Sequence, residues 1–257
     1  MRQTVAVTHV LHNDRVRAVV DPLHGARLIS LWIDGHELLA EDGSFPMIPW
    51  AGRIRAGKFT VDGVTHELPL GKDGNAIHGL GRNVEWQMTG PDTFQRELGA
   101  PWPTEGTAEL HYELLDDGIR TTLSWDDRSD IPCSLGLHPW FRRRLDSGDD
   151  VILTFDPEVM VERGADGLPT GKLIDPRPGP WDDCFRASAP PVLTWPGAVA
   201  VSLASSSPWW VVYDEPAETV CVEPQTAPPD AFDHPTLQPD GPWPRSLWFE
   251  VRAQDDN

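Results

Sequence analysis

Residues 135–141 read LGLHPWF, a histidine set directly before a proline inside an apolar and aromatic run. Farther along, VCVEPQTAPPDAF (220–232) places Glu223 at the end of an apolar run, again immediately before proline. NAIHGLGRNVEW (75–86) carries His78 ahead of Gly79, and PWAGRIRAGKF (49–59) sets Arg53 and Arg55 beside glycines. Glutamate almost never sits unpaired within an apolar strand. Histidine, with an ordinary pKa near 6.5, exchanges protons close to neutral pH. One carboxylate and one imidazole are the minimum pair for taking a proton from one oxygen while giving another to a second. Each residue also has a plainer reading. His138 and His78 would then be core histidines bonded to backbone, Arg142, Arg143 and Arg144 a solvated face, and Trp50, Trp140 and Trp181 core aromatics.

The elements that position these residues read as strands. Period-two alternation dominates, and long helical periodicity is missing. VRAVVDP, ARLISLWIDG, DVILTFDP, VAVSLASS, WWVVYDE, TVCVEPQ and SLWFEVRA all read so. GKFTVDGVTHELPL predicts a hairpin about Asp62-Gly63, and AELHYELLDDGIRTTLSW a second about Asp117-Gly118. Three stretches rich in proline and glycine, 98–106, 164–183 and 226–246, read as long loops unsuited to central strands. In His138-Pro139 and Glu223-Pro224 the proline favours extended backbone before it and removes a ladder donor. Both residues are therefore expected where a strand leaves its sheet. Many short strands without a linker predict one all-β domain over residues 1–257, a sandwich or barrel.

Composition narrows the function classes. The net charge of −19 is spread along the chain, and such a surface repels phosphate backbones and anionic lipid. Neither a nucleic-acid nor a membrane partner is expected. The N-terminal twenty residues alternate instead of forming a signal peptide, and Cys133, Cys184 and Cys221 are scattered without a CxxC, which together predict a cytoplasmic home. GHELLA (35–40) lacks the second histidine of HExxH, and GLGRNV (79–84) ends in valine where a dinucleotide loop has glycine. No GxSxG or GxxxxGK[ST] occurs. His9 and His12 have no ligand companions nearby in sequence, so no metal site is expected. Oligomeric state is not legible.

The four chemistry-bearing segments, with WDDCF (181–185), occur in the order found in the aldose 1-epimerase (galactose mutarotase) family, which this sequence resembles over roughly residues 45–232. The resemblance implies a large antiparallel β-sandwich, in agreement with the strand reading. It implies cofactor-independent interconversion of the α and β anomers of a free aldohexose. Glu223 matches the general base, His138 the general acid, and His78 a second histidine at the reacting centre. Arg53 matches an arginine bonded to sugar oxygens, Asp182 an aspartate bound to sugar hydroxyls, and Gln225 a further sugar contact. The adjacent Asp183 leaves the register of Asp182 open. Gly52 stands where the better-known sugar mutarotases carry asparagine, and Pro139 where they often carry serine or threonine. Two alternatives accompany this reading. A hexose-6-phosphate mutarotase of the same superfamily could use Arg142–Arg144 against a phosphate. A non-catalytic carbohydrate-binding protein could dispense with Glu223 or His138.

Overall fold

Strict in-out alternation in Gly106–Leu115 and Gly118–Asp126 buries one face of each strand, which marks a sheet covered on one side. By contrast, Gly136–Arg142 and Thr219–Gln225 are buried on both faces. A computed structural model, describing residues 8–254, shows why. Residues 1–7, part of the alternating N-terminal stretch, lie outside the described residues, as do 255–257.

The described residues form strands and three short 3-10 turns, arranged as two large antiparallel sheets. The eight-stranded sheet has Gly106–Leu115, Gly118–Asp126 and Ser246–Ala253 at its centre. The eleven-stranded sheet runs from His9–His12 at one edge to Pro169–Ile174 at the other. At its middle lie Leu39–Met47, Gly136–Arg142, Thr219–Gln225, Trp209–Tyr213 and Asp182–Arg186, in that order. One hydrophobic cluster joins the two sheets, with Leu137, Phe141, Val220 and Val222 from the larger meeting Leu123, Leu203 and Phe249 from the smaller. This is the large antiparallel β-sandwich expected.

The first hairpin is as predicted. Val61 pairs with Val64, and the two turn residues Asp62 and Gly63 both have positive φ, 49° and 78°, the backbone that a two-residue primed turn demands. The second hairpin differs. Leu115 pairs with Gly118, so Asp116 and Asp117 make the turn, and Gly118 belongs to the strand. A Cβ on Gly118 would lie 2.1 Å from the Val251 carbonyl oxygen of the neighbouring strand. Glycine is there for close approach, not for the turn. Gly118→Ala is therefore expected to destabilise the protein by about 1–3 kcal/mol through overpacking, measured by urea melts. An unchanged midpoint would refute this role for the residue.

Two further expectations are corrected. The 164–183 stretch is not all loop, because Pro169–Ile174 forms an edge strand paired with Val159–Arg163. Proline begins it, where no ladder donor is needed. His138 and Glu223, moreover, do not sit where strands leave the sheet. Both lie inside central strands. The ladder between these strands has paired residues at Gly136–Gln225 and next at Trp140–Cys221. The prolines fall in the interval, and a register shift follows Pro139 on the other side of its strand. The sheet admits them by breaking its own hydrogen-bond ladder locally.

Candidate active site

The antiparallel register places His138 directly opposite Glu223, midway between the pairs Gly136–Gln225 and Trp140–Cys221. Side chains two apart share a face, so Gln225, Glu223 and Cys221 project with His138 and Trp140 away from the inter-sheet core. The same row continues through Val211 to Cys184, and the next through Tyr213 to Asp182. These rows floor a cavity of about 250 Å³. That is slightly under the roughly 300–1,000 Å³ of drug-sized pockets and suits one sugar ring. Gly167, Leu168 and Pro169 from one loop and Pro229 from another wall it in.

The loops carry the remaining candidates. Arg53 is held by the Asp230 N–H, which donates to its carbonyl at 2.8 Å, and its Nε donates to Asp73 at 2.7 Å. Arg55 does not line the cavity. It ties the 226–246 loop to the 164–168 loop by pairing with Asp230 and Asp166. Gly52, at φ 65°, would drive a Cβ to 2.6 Å from Pro229, so the wall itself excludes any larger side chain there. His78 has φ 59° and donates its N–H to the Gly52 carbonyl at 2.9 Å. Its ring stands edge-on to His138 at 5.1 Å.

His138 Nε2 lies 3.2 Å from Glu223 Oε1, with both side chains buried. Gln225 Nε2 donates to Glu223 Oε2 at 3.3 Å. Phe45 and Trp140 stack against the His138 ring, with centroids at 4.6 and 5.0 Å, fixing its plane. Burial dominates the titration of this group. It lowers His138 to about 3, with the backbone hydrogen bond opposing and Arg82 and Arg27 adding to the fall. It raises Glu223 well above the ordinary carboxylate range, helped by the charge of Asp182. It also holds His78 well below the usual histidine value, with His138 and Arg82 contributing. A carboxylate at this distance favours the charged imidazole. The neighbour is present, but desolvation is the larger effect. Burial thus shifts the pair toward neutral imidazole and neutral carboxylic acid.

Asp182 and Asp183 both line the cavity but differ in register and burial. Asp182 pairs with Tyr213 in the pocket-facing row, and Arg163 Nη1 donates to it at 2.6 Å. Asp183 pairs with Val212, a core residue. It lies 3.5 Å from Arg163 Nε and is raised by burial. Arg163 and Tyr213 line the cavity although the sequence reading passed them over. Trp140 was read as core, yet it lines the cavity and stacks on the His138 ring. Trp50, by contrast, is core. Arg142 and Arg143 are not a solvated face. Arg142 donates to the Leu39 carbonyl and Arg143 to those of Asp214, Pro216 and Thr219, and only Arg144, paired with Asp150, is fully exposed. None of the three lines the cavity.

His138, Cys221 and Glu223 are the one set among the described residues whose donor atoms could share a metal ion, all within 4.8 Å. Burial raises both the Cys221 thiol and the Glu223 carboxyl, so a metal held here would have to displace their protons. Cys133, Cys184 and Cys221 are free and buried. No helix among the described residues is long and apolar enough to cross a membrane.

A family model described as aldose 1-epimerase matches residues 8–191. The chain belongs to the aldose 1-epimerase family. As an aldose 1-epimerase family member it is an epimerase-type isomerase with a sugar as substrate. It is 23% identical over 240 residues to the uncharacterized protein YihR of Escherichia coli K12, covering 81% of this chain and 78% of that protein. Solved structures share the fold. A GalM/aldose epimerase homologue from C. elegans superposes with a TM-score of 0.79 at 16% identity, covering 97% of this chain and 99% of that one. A galactose mutarotase-like protein from Clostridium acetobutylicum gives 0.78 at 17%, covering 95% and 94%. The aldose 1-epimerase sandwich is thus kept across chains whose sequences have largely diverged.

Proposed function

We propose that the protein interconverts the α and β anomers of an aldohexose by acid–base ring opening, with Glu223 and His138 carrying the protons. The observation that supports this most is the 3.2 Å approach of His138 Nε2 to Glu223 Oε1 at the floor of a sugar-sized cavity. A cyclic aldose is a hemiacetal. Glu223, as carboxylate, takes the proton of the C1 hydroxyl while the C1–O5 bond breaks. The bonding pair goes to O5, which takes a proton from His138 Nε2, and C1 becomes an aldehyde carbon. Rotation about C1–C2 presents the other face, and the steps reverse.

The electrostatics support this cycle. Carboxylate with imidazolium, and carboxylic acid with imidazole, hold the same single proton between them, so the pair stays neutral overall. Burial favours the second form in the empty cavity, which is also the form the open-chain aldehyde leaves behind. Sugar hydroxyls donating to Glu223, with Gln225 already doing so, favour the first form on binding. Arg53, His78, Asp182 and the Trp140 indole are placed to hold the hydroxyls, and Arg53 stays charged throughout. We propose also that the chain acts as one domain, since a single core joins both sheets.

The reading is tested by polarimetry on freshly dissolved α-D-glucose and α-D-galactose. Relaxation to the equilibrium rotation is expected to accelerate in proportion to protein concentration. No acceleration with any aldose, free or substituted, would overturn it.

A further inference from the structure

The cavity wall at residues 164–169 is the tip of a hairpin at the edge of the larger sheet, where Val159–Arg163 pairs with Pro169–Ile174. Its own hydrogen bonds are local. Gly164 N–H donates to the Leu168 carbonyl, Gly167 N–H to that of Gly164, and Leu168 N–H to Asp166 Oδ1, at 2.8, 3.0 and 3.1 Å. Leu168 is 3% exposed although residues 165–167 beside it are exposed. It belongs to none of the hydrophobic clusters of the core. Its burial comes from its place in the cavity wall.

An edge hairpin tip held by local bonds alone opens at little cost. Among the described residues, the hydrogen bonds and ion pairs that join 164–169 to distant parts of the chain all run to Arg55. Its Nη1 pairs with Asp166, and its Nη2 donates to the Pro169 carbonyl at 3.0 Å. Nε of the same guanidinium lies 3.3 Å from Asp230 Oδ2, and the Arg55 N–H donates to Asp230 Oδ1 at 2.8 Å. Asp230 is buried, follows Pro229 of the other wall, and donates its own N–H to the Arg53 carbonyl. One planar fork thus holds two walls together, which the point charge of a lysine could not do as fully. The Arg55–Asp166 pair is exposed, at 43% and 52%, and such a pair adds little to global stability. Its effect is local.

We propose that Arg55 is a positioning residue for the reaction. By fastening the 164–169 tip to Asp230, it keeps Leu168 against the bound sugar and bulk water out of the cavity. This rests on the mutarotase reading above. Without the guanidinium the tip opens, and the apparent affinity for sugar falls by the fraction of molecules still closed. Arg53, Glu223 and His138 keep their places, because the bond from the Arg55 N–H to Asp230 does not need the side chain. A sugar that binds closes the tip and reacts at nearly the same rate.

Three measurements on Arg55→Gln test this. Amide hydrogen exchange is expected to quicken over 164–168 and to stay unchanged in Gly136–Arg142 and Thr219–Gln225. KM for glucose or galactose, whichever the wild type turns over faster, is expected to rise about 10-fold, with kcat changed by less than about 3-fold. Arg55→Lys, which can keep one of the two ion pairs, recovers part of the loss. Leu168→Ala raises KM as well, and in the double variant the two losses do not multiply, since both act through one wall. Unchanged exchange over 164–168, a fall confined to kcat, or multiplying KM losses would overturn the proposal. Binding of glucose is followed separately by tryptophan fluorescence. Quickened exchange and weakened binding in Arg55→Gln, beside a wild type that interconverts no anomers, would support the clamp while overturning the mutarotase reading itself.

Discussion

Glu223→Gln removes anomer exchange, by at least the 10²–10⁴-fold typical of one positioned proton carrier, and makes the folded protein more stable at neutral pH. The amide keeps the shape of the side chain and its contact with Gln225, but it cannot accept the C1 hydroxyl proton. The stability change follows from the same burial. In the folded protein Glu223 is held above its ordinary value near 4.5, so the folded state binds more protons than the unfolded chain above that pH. Its contribution is fully present below about 4.5 and is lost as pH rises through the folded value. Glutamine has no such loss. Thermal midpoints of wild type and variant should converge near pH 4 and separate, variant higher, toward pH 7. A variant less stable than wild type at pH 7 would contradict the buried neutral carboxyl, and near-wild-type turnover would contradict its role as base.

His138→Gln produces a comparable loss of turnover, and the double variant Glu223→Gln/His138→Gln is no slower than the slower single variant. The two proton transfers belong to one ring-opening step and act as a unit, so removing the second costs little more once the first is gone. Multiplying losses would show that the two act independently. The pH signature has the opposite sign to that of Glu223. His138 falls from 6.5 to about 3 on folding, so between these values the unfolded chain binds more protons. Stability is therefore lost as pH falls below about 6.5. Denaturant melts of His138→Gln should show less acid destabilisation between pH 6.5 and 4 than wild type does.

Local patterns in the sequence carried most of the fold. Alternation in VRAVVDP or SLWFEVRA depends only on neighbours along the chain, and so does the Asp62-Gly63 turn. Gly118 misled because its reason lies in a different strand, at the Val251 carbonyl. The segments holding Glu223, His138, His78 and Arg53 were legible as short motifs, and the structure gathers them in one cavity. Arg163, Tyr213 and Trp140 were not legible, because their places depend on the register between strands far apart in the chain. Asp182 and Asp183, whose register the sequence left open, both line the cavity.

Saturation transfer between the α and β anomeric protons of an aldose at equilibrium tests the central claim most directly. It reads chemical exchange itself, needs no pure anomer, and applies equally to glucose and glucose 6-phosphate. Wild-type protein should transfer saturation between the two signals on at least one of these sugars, and Glu223→Gln, folded by its melting curve, should not. Equal transfer by the two proteins, or none by the wild type on any aldose it binds, would contradict the account.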